Sequence, residues 1–410
     1  MTSPVLMHPR VAVISDIHLG DPTLPNLEDF ACDAEFEHLL TSRVPARLGA
    51  PVSLVIAGDF IDFPQVLPEI ARHAHGDRYG TTEAESLRRF ERVLAGHPRV
   101  FAALARFLRD GGQVCLLAGN HDPDYHWPGV EAAMRTALGD PPRPQFTFVA
   151  NGAIHERGVY IEHGNQYSFD NRFDAWPRPI LDAPDGLRLE RPWGTLFMDM
   201  VYNDAEEAHP FLNRIYPHDA LAAIVARSLV GGQASIRLIA RIVAFLARKG
   251  GRLAWEHLLG DDAAPAADIT TLARTLAPQL DDVDLSTVAR LARTELIASG
   301  SQSQSTALPG LLGRNDERGM TRRATELLVH GEATIVVFGH THVLVDHAPF
   351  GADDPRRVFN TGSWMPRLDV EGLPRPTFRD LAPLELTGHE LRFLAIELSD
   401  PPRASLEVVE

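Results

Sequence analysis

The side chains that could do chemistry in this 410-residue sequence fall into five short polar clusters. In chain order, these clusters are Asp16-x-His18, Gly58-Asp59, Gly119-Asn120-His121-Asp122, His163-Gly164 and Gly339-His340-Thr341-His342. Their carboxylate, amide and imidazole groups suit Mn, Fe, Zn or a similar ion, whereas a thiolate site would need cysteine. The sequence has only Cys32 and Cys115, which we expect to be ordinary thiols of a reducing compartment.

The spacing within the clusters favours two metal ions over one. Positions i and i+2 of an extended segment face the same side, so Asp16 with His18, and His340 with His342, could each bind an ion. The candidate ligands are Asp16, His18, Asp59, Asn120, His163, His340 and His342. They are too many for one tetrahedral site, and two ions about 3.5–4 Å apart are suited to displacement at phosphorus.

Each cluster directly follows an apolar run that predicts a buried strand. These runs cover residues 10–15, 52–57, 113–118, 159–162 and 334–338. Helical spacing over 27–48, 83–94 and 100–110 predicts helices between the first strands, and further strands are expected near 356–359, 390–398 and 404–409. Because α/β sheets place their sites at the carboxyl ends of strands, we expect the five clusters to converge.

The strand pattern is interrupted between residues 172 and 319. Helices are predicted there at 195–208, 219–231, 234–249, 268–276 and 285–299, and 299–305 is low-complexity. We therefore predict a catalytic core from 1–171 and 320–410, with a helical insertion over 172–319 that forms a cap, lid or interaction domain. Arg237, Arg241 and Arg248 form a basic stripe on a broadly apolar helix. That helix either contacts a lipid headgroup region or is buried in a cap or dimer interface.

The charge balance limits the partners. There are 55 acidic and 39 basic residues, a net charge of −16, which argues against nucleic acid as a partner because coating it depends on basic side chains. Hydrophobic residues make up 44%, enough for a real core. The sequence shows neither a secretory signal nor an uninterrupted apolar run of about 18 residues, so we expect a cytoplasmic protein. Bound metal ions would still let an acidic protein attract a phosphate.

The five clusters resemble, in order and spacing, those of the calcineurin-like metallophosphoesterase superfamily, over about residues 10–170 and 325–410. The resemblance implies an α/β fold, a four-layered α/β/β/α sandwich, here with a large helical insertion. It implies a first metal held by Asp16, His18 and His342, a second held by Asn120, His163 and His340, and a bridging Asp59. Mn is the expected ion, with Fe, Zn or a mixed pair as alternatives, and a metal-bridging hydroxide would be the nucleophile.

The resemblance also implies roles beside the metals. His121 would stabilise the phosphoryl transition state or protonate the leaving oxygen, and Asp122 would orient His121. Directly after His163, the polar side chains of Asn165 and Arg172 are candidates for gripping a substrate, the alternative being a surface loop that leads into the insertion.

Two stretches narrow the resemblance within the superfamily. Residues 15–21 and 360–364 are similar to those of bacterial members akin to UDP-2,3-diacylglucosamine pyrophosphatase, a peripheral membrane enzyme that cleaves a nucleotide–lipid diphosphate. Those enzymes have Arg where this chain has His121, and their helical lid is shorter. The sequence thus predicts a phosphohydrolase that cleaves a phosphoester or diphosphate bond of a small, lipid- or nucleotide-linked molecule, with peripheral membrane contact through the insertion. It does not indicate an oligomeric state. Alternatives are a DNA nuclease of the same superfamily and a metal-free interaction scaffold.

Overall fold

The computed structural model describes residues 5–72, 78–168, 170–216, 224, 314–384, 386 and 390–409. The strands are β1 (Arg10–Ile14), β2 (Ser53–Ala57), β3 (Gln113–Leu117), β4 (Phe146–Phe148), β5 (Ala153–Glu156), β6 (Val159–Glu162), β7 (Ile180–Ala183), β8 (Gly186–Leu189), β9 (Ile215–Tyr216), β10 (Ile335–Phe338), β11 (Leu344–His347), β12 (Arg357–Thr361), β13 (Leu368–Asp369), β14 (Arg392–Glu397) and β15 (Arg403–Val408). The α-helices are α1 (Asp33–His38), α2 (Val44–Leu48), α3 (Glu69–Arg72), α4 (Glu83–Gly96), α5 (Pro98–Arg109), α6 (Pro128–Ala137), α7 (Trp193–Phe197), α8 (Asn203–Ala208), α9 (Arg314–Val329) and α10 (Phe378–Leu381). Short 3₁₀ turns span Phe63–Gln65, Pro123–His126 and Asn165–Tyr167, and π-helical turns span Leu39–Arg43 and Met198–Tyr202.

The chain divides into two compact units. The first comprises Met1–Leu196, Asp316–Pro366 and His389–Glu410, and the second comprises Phe197–Asn315 and Arg367–Gly388. All five polar clusters belong to the first unit. The insertion over 172–319 stays a prediction, because its predicted helices at 219–231, 234–249, 268–276 and 285–299, with the basic stripe, lie outside the described residues apart from one position. The helix predicted at 195–208 is present as α7, a π-helical turn and α8 in succession.

Two sheets form the centre of the first unit. The larger has the strand order β15-β14-β1-β2-β3-β4. Strands β1 to β4 run parallel to one another, β14 pairs antiparallel with β1, and β15 pairs antiparallel with β14. The smaller has the order β11-β12-β10-β6-β5, with β6, β10 and β12 parallel. After their first residues, β1, β2 and β3 are apolar and fully buried, so both of their faces are covered, which the continuous apolar runs predicted.

Three clusters of buried side chains define the layers. Val13 and Val55 of the larger sheet pack with Ile161 and Val337 of the smaller sheet, which places one core between the sheets. The other face of the larger sheet packs against helices α1, α4, α5 and α6 through the buried side chains Ile14, Ile56, Phe36, Phe90, Phe101 and Val130.

The outer face of the smaller sheet packs on α9. Val336 and Phe338 of β10 are buried with Met320, Ala324 and Leu327 of that helix. The order from one side to the other is therefore helix, sheet, sheet, helix, which confirms the predicted four-layered α/β/β/α sandwich. Among the described helices, none is both long and apolar enough to cross a membrane.

Candidate metal centre

The predicted ligands lie at the carboxyl ends of five parallel strands. Asp16 follows β1, Asp59 follows β2 and Asn120 follows β3 in the larger sheet, while His163 follows β6 and His340 follows β10 in the smaller sheet. Because the two sheets are stacked with these ends together, the side chains converge as the strand pattern predicted.

The backbone at the centre is left-handed at five ligand positions. Asp16, His18, Asp59, His340 and His342 have φ values of 54°, 55°, 50°, 69° and 57°. Residues other than glycine adopt this conformation rarely, and such strain clusters at functional sites. The premise that Asp16-x-His18 and His340-x-His342 are extended segments is therefore wrong, and sharp turns aim these side chains instead.

The first group of converging ligands is Asp16, His18, Asp59 and His342, whose ligand atoms all lie within 4.8 Å of one another. Nε2 of His342 is 3.1 Å from Nε2 of His18 and 3.3 Å from Oδ1 of Asp16. Asp59 Oδ2 is 3.8 Å from Nε2 of His18.

The second group is Asp59, His163 and His340. Nε2 of His163 lies 3.1 Å from Oδ2 of Asp59 and 3.2 Å from Oδ1 of Asn120. The other ring nitrogen of His163, Nδ1, is 2.9 Å from the carbonyl oxygen of Ala57. A proton on Nδ1 donated to that carbonyl leaves Nε2 free to act as a ligand. His340 and His342 thus fall into different groups, as the resemblance implied.

The donor set fits two divalent ions. With metal–ligand bonds of about 2.0–2.2 Å, neighbouring ligands of one ion are separated by about 2.8–3.6 Å. All but one of the separations given above, which run from 3.1 to 3.8 Å, fall within this range. Asp59 belongs to both groups, so its carboxylate is placed to bridge two ions, with imidazole, amide and carboxylate donors around them.

Glycines leave the room in which the ligands pack. A Cβ at Gly119 would lie 2.1 Å from Oδ1 of Asp59, and one at Gly58 would lie 2.4 Å from Nδ1 of His163. A Cβ at Gly339 would lie 2.6 Å from Oδ2 of Asp16. These distances are far shorter than a van der Waals contact. Each of these three clusters must therefore begin with glycine, because a side chain there would collide with a ligand from another cluster.

The structure corrects the partner of His121. Asp62 Oδ1 lies 2.9 Å from Nδ1 of His121, and Asp62 Oδ2 lies 2.9 Å from Nδ1 of His18. Asp122, which was expected to orient His121, instead accepts hydrogen bonds from the backbone amides of Gly119 at 2.6 Å and Phe60 at 2.7 Å. Both of its oxygens are occupied by amides of the two turns, so Asp122 holds those turns together.

Sequence reasoning missed Asp62. Its signal was the spacing Gly58-Asp59-x-x-Asp62, in which the second carboxylate follows the bridging one by three residues. The turn at Asp59 and the short 3₁₀ turn that begins at Phe63 direct this carboxylate toward His18 and His121.

The buried charges shift one another's protonation. Burial raises the pKa of the Asp59 carboxyl, but the imidazoles of His163 and His121 lower it well below its usual value. Burial lowers the pKa of His121, and the carboxylates of Asp62 and Asp59 raise it to about 10. The neighbouring carboxylates therefore favour the protonated form of His121, and the neighbouring imidazoles favour the ionised form of Asp59.

The two predicted substrate-binding residues differ in their surroundings. Asn165 is buried and its Nδ2 donates to the carbonyl oxygen of Asn171 at 3.1 Å, so it shapes the loop that follows His163. Arg172 has a side chain that is 53% exposed and lies 4.0 Å from Asp174. Substrate contact by either residue stays a prediction.

Comparison with known proteins gives the class. The sequence model of the family described as calcineurin-like phosphoesterase matches residues 9–207. The chain belongs to this family and is a metallophosphoesterase, an enzyme that hydrolyses phosphoric esters. His340 and His342 lie beyond the matched span, and β10 brings them to the same centre.

The chain is also similar to a curated protein over part of its length. A stretch of this chain is 35% identical over 121 residues to the hydrogenase expression/formation protein HoxO of Cupriavidus necator. The aligned region covers 26% of this chain and 72% of that protein. Its name describes hydrogenase expression or formation, and it assigns no residue role here.

Proposed function

We propose that this chain is a two-metal phosphohydrolase that cleaves a phosphoester or diphosphate bond in a small phosphorylated molecule. The observation that carries the proposal is the Asp59 carboxylate shared by two groups of ligands, one with Asp16, His18 and His342 and one with His163 and His340. We propose Mn as the resident ion, with Fe, Zn or a mixed pair as alternatives that the same donors suit.

Bound divalent ions would polarise the phosphoryl oxygens and lower the pKa of a water. The protein's own contribution is to fix the donors. Asp59 stays ionised because its pKa is lowered, and His163 presents Nε2 because its Nδ1 faces the carbonyl of Ala57. These constraints keep the donor atoms ready before a substrate arrives.

His121 is the candidate acid. Asp62 faces its Nδ1, so Nε2 is the nitrogen that can give a proton to the leaving oxygen or stabilise charge on the phosphoryl group. The carboxylates of Asp62 and Asp59 raise the pKa of His121, which favours the protonated form. Asp62 thereby sets both the tautomer and the charge of His121.

Charge supports a compact anionic substrate. Two divalent ions would bring a charge of about +4, against −2 from Asp16 and Asp59, so the centre attracts a phosphate although the chain carries −16. A long polyanion would be repelled by the net negative charge of the chain. We extend the proposal to a lipid- or nucleotide-linked phosphate, on the resemblance described above, with the insertion as a cap or membrane contact.

The test is hydrolysis of a panel with added Mn: p-nitrophenyl phosphate, bis(p-nitrophenyl) phosphate, nucleotide–lipid diphosphates, and single- and double-stranded DNA. We expect metal-dependent turnover of at least one small ester, with Asp59→Asn abolishing it. An unchanged rate in Asp59→Asn would overturn the two-metal mechanism, and turnover of DNA alone would favour the nuclease alternative.

A further inference from the structure

The segment Asn360–Trp364, at the carboxyl end of β12, contacts two of the three loops that supply the first ligand group, those of Asp16 and of His342. Asn360, Thr361, Ser363 and Trp364 are all buried, between 1% and 7% exposed. None of them belongs to the converging ligand groups. Their polar atoms are nevertheless directed at the loops that carry Asp16 and His342.

Asn360 holds the loop of His340 and His342. Its Nδ2 donates to the carbonyl oxygen of Gly339 at 2.6 Å and to Oγ1 of Thr341 at 3.1 Å. Its Oδ1 accepts from the amide of Gly362 at 2.9 Å. The side chain therefore fixes the loop that presents two histidines in the left-handed conformation.

Thr361 acts on the other loop through Ser15. The hydroxyl of Ser15 donates to Oδ2 of Asp16, because an ionised carboxylate can only accept. Oγ of Ser15 lies 2.7 Å from Oγ1 of Thr361, so the hydroxyl of Thr361 is left to donate to Ser15. Two hydroxyls in series thus occupy Oδ2 of Asp16, while Oδ1 points at Nε2 of His342.

Two more contacts fix the backbone of Asp16. Oγ of Ser363 and the amide of Trp364 each donate to its carbonyl oxygen, both at 3.0 Å. A residue held at a φ of 54° needs such support, because this conformation is costly for a side chain other than glycine.

We propose that the segment Asn360–Trp364 is a positioning clamp. It fixes the positions of Asp16 and His342 relative to one another and so strengthens binding of a metal ion at the first of the two ion sites. This inference rests on the two-ion centre proposed above. Groups that orient metal ligands typically change metal affinity by about 10–100-fold when they are removed.

The test uses the full chain and a matched pair of substitutions at one position. Thr361→Val keeps the shape but removes the hydroxyl, Thr361→Ser keeps the hydroxyl, and Asn360→Asp keeps the shape but loses the Nδ2 donor. Each variant is dialysed to equilibrium against Mn²⁺, the bound ion is counted by elemental analysis, and electron paramagnetic resonance distinguishes a coupled Mn²⁺ pair from a single ion. Circular dichroism checks that each variant is folded.

We expect two coupled ions in the wild type and in Thr361→Ser. In Thr361→Val, we expect one ion to bind as before and the other to bind about 10–100-fold more weakly, giving the signal of a single ion. In Asn360→Asp, we expect both ions to bind more weakly, because the loop that Asn360 holds carries a ligand of each group. Equal loss of both ions in Thr361→Val, wild-type binding in Thr361→Val, or an equal defect in Thr361→Ser would overturn the clamp. Fewer than two ions in the wild type would instead overturn the proposed centre itself.

Discussion

The carboxylate of Asp62 lies 2.9 Å from Nδ1 of His121, close to the two groups of converging ligands. This pair joins a residue that follows β2 to one that follows β3. The carboxylate raises the pKa of a largely buried imidazole and so favours its charged form, which burial alone would disfavour.

Asp62→Asn should therefore lower kcat by about 10–100-fold, because His121 loses the partner that sets its tautomer and charge. The pKa of His121 falls without that carboxylate. If His121 must be protonated to act, activity is lost as the pH rises through its pKa, so the alkaline limb of the profile should move to lower pH. A kcat against pH profile that matches the wild type would contradict this role.

Substitutions at His121 and Asp122 should separate catalysis from stability. His121→Ala should lower kcat by about 10²–10⁴-fold while the free energy of unfolding changes little, since the imidazole acts on the substrate. Asp122→Ala should lower the free energy of unfolding by about 1–3 kcal/mol, because buried amides of Gly119 and Phe60 lose their acceptor. Urea unfolding and steady-state assays of both variants check this, and a stable but inactive Asp122→Ala would restore the role first expected for it.

Gly119→Ala should impair metal binding. The added Cβ would lie 2.1 Å from Oδ1 of Asp59, so the bridging carboxylate must move. We expect metal affinity to fall by about 10-fold or more, measured by equilibrium dialysis. Gly80→Ala is the matched control, because its Cβ would lie 3.4 Å from the nearest atom, an ordinary contact. Equal affinities in the two variants would contradict the packing argument.

His97 should make folding stability depend on pH. Its ring nitrogens lie 3.3 Å from Oε2 of Glu28 and 3.2 Å from Oδ1 of Asp33, so both can donate only when the ring is protonated. Burial lowers the pKa of His97, but Glu28 and Asp33 raise it above its usual value. A raised folded-state pKa means that this stabilisation is complete below the unfolded value of about 6.5 and is lost as the pH rises through the folded value.

The difference in unfolding free energy between the wild type and His97→Gln should thus be largest below about pH 6.5 and shrink at higher pH. Chemical denaturation at a series of pH values measures it. Because the same metal ligands are present in both proteins, their titration cancels in the difference. A difference that stays constant with pH would contradict the role of His97.

The apolar runs before the clusters predicted the strands well, because a strand buried on both faces leaves a continuous signal. Of the five strands that precede the clusters, β6 has the predicted limits. The other four, β1, β2, β3 and β10, each differ from the predicted limits by one residue at one end. Strands with mixed exposure, such as β7 and β11, and the short β4 were missed, since their alternation is too brief to register.

The sequence predicted which residues form the site better than it predicted how their backbone and side chains are arranged. The clusters indicated which side chains converge, but not that Asp16 and His342 sit in left-handed turns. The sequence signal of Asp62 was too weak to identify it as a site residue alongside Asp59. Hydrogen bonds such as those of Asp122 depend on which turns become neighbours, which only the folded chain determines.

The loop of His340 and His342 reaches the centre from the far end of the chain, and the amide of His340 donates to Asp16 across a separation of 324 residues. During synthesis at about 5–20 residues per second, Asp16 leaves the ribosome roughly 16–65 s before His340. The nascent chain passes that interval with an incomplete set of donors. Binding of both proposed metal ions therefore requires a chain synthesised at least as far as His342, and metal supply should act on that nearly full-length chain more than on its early folding.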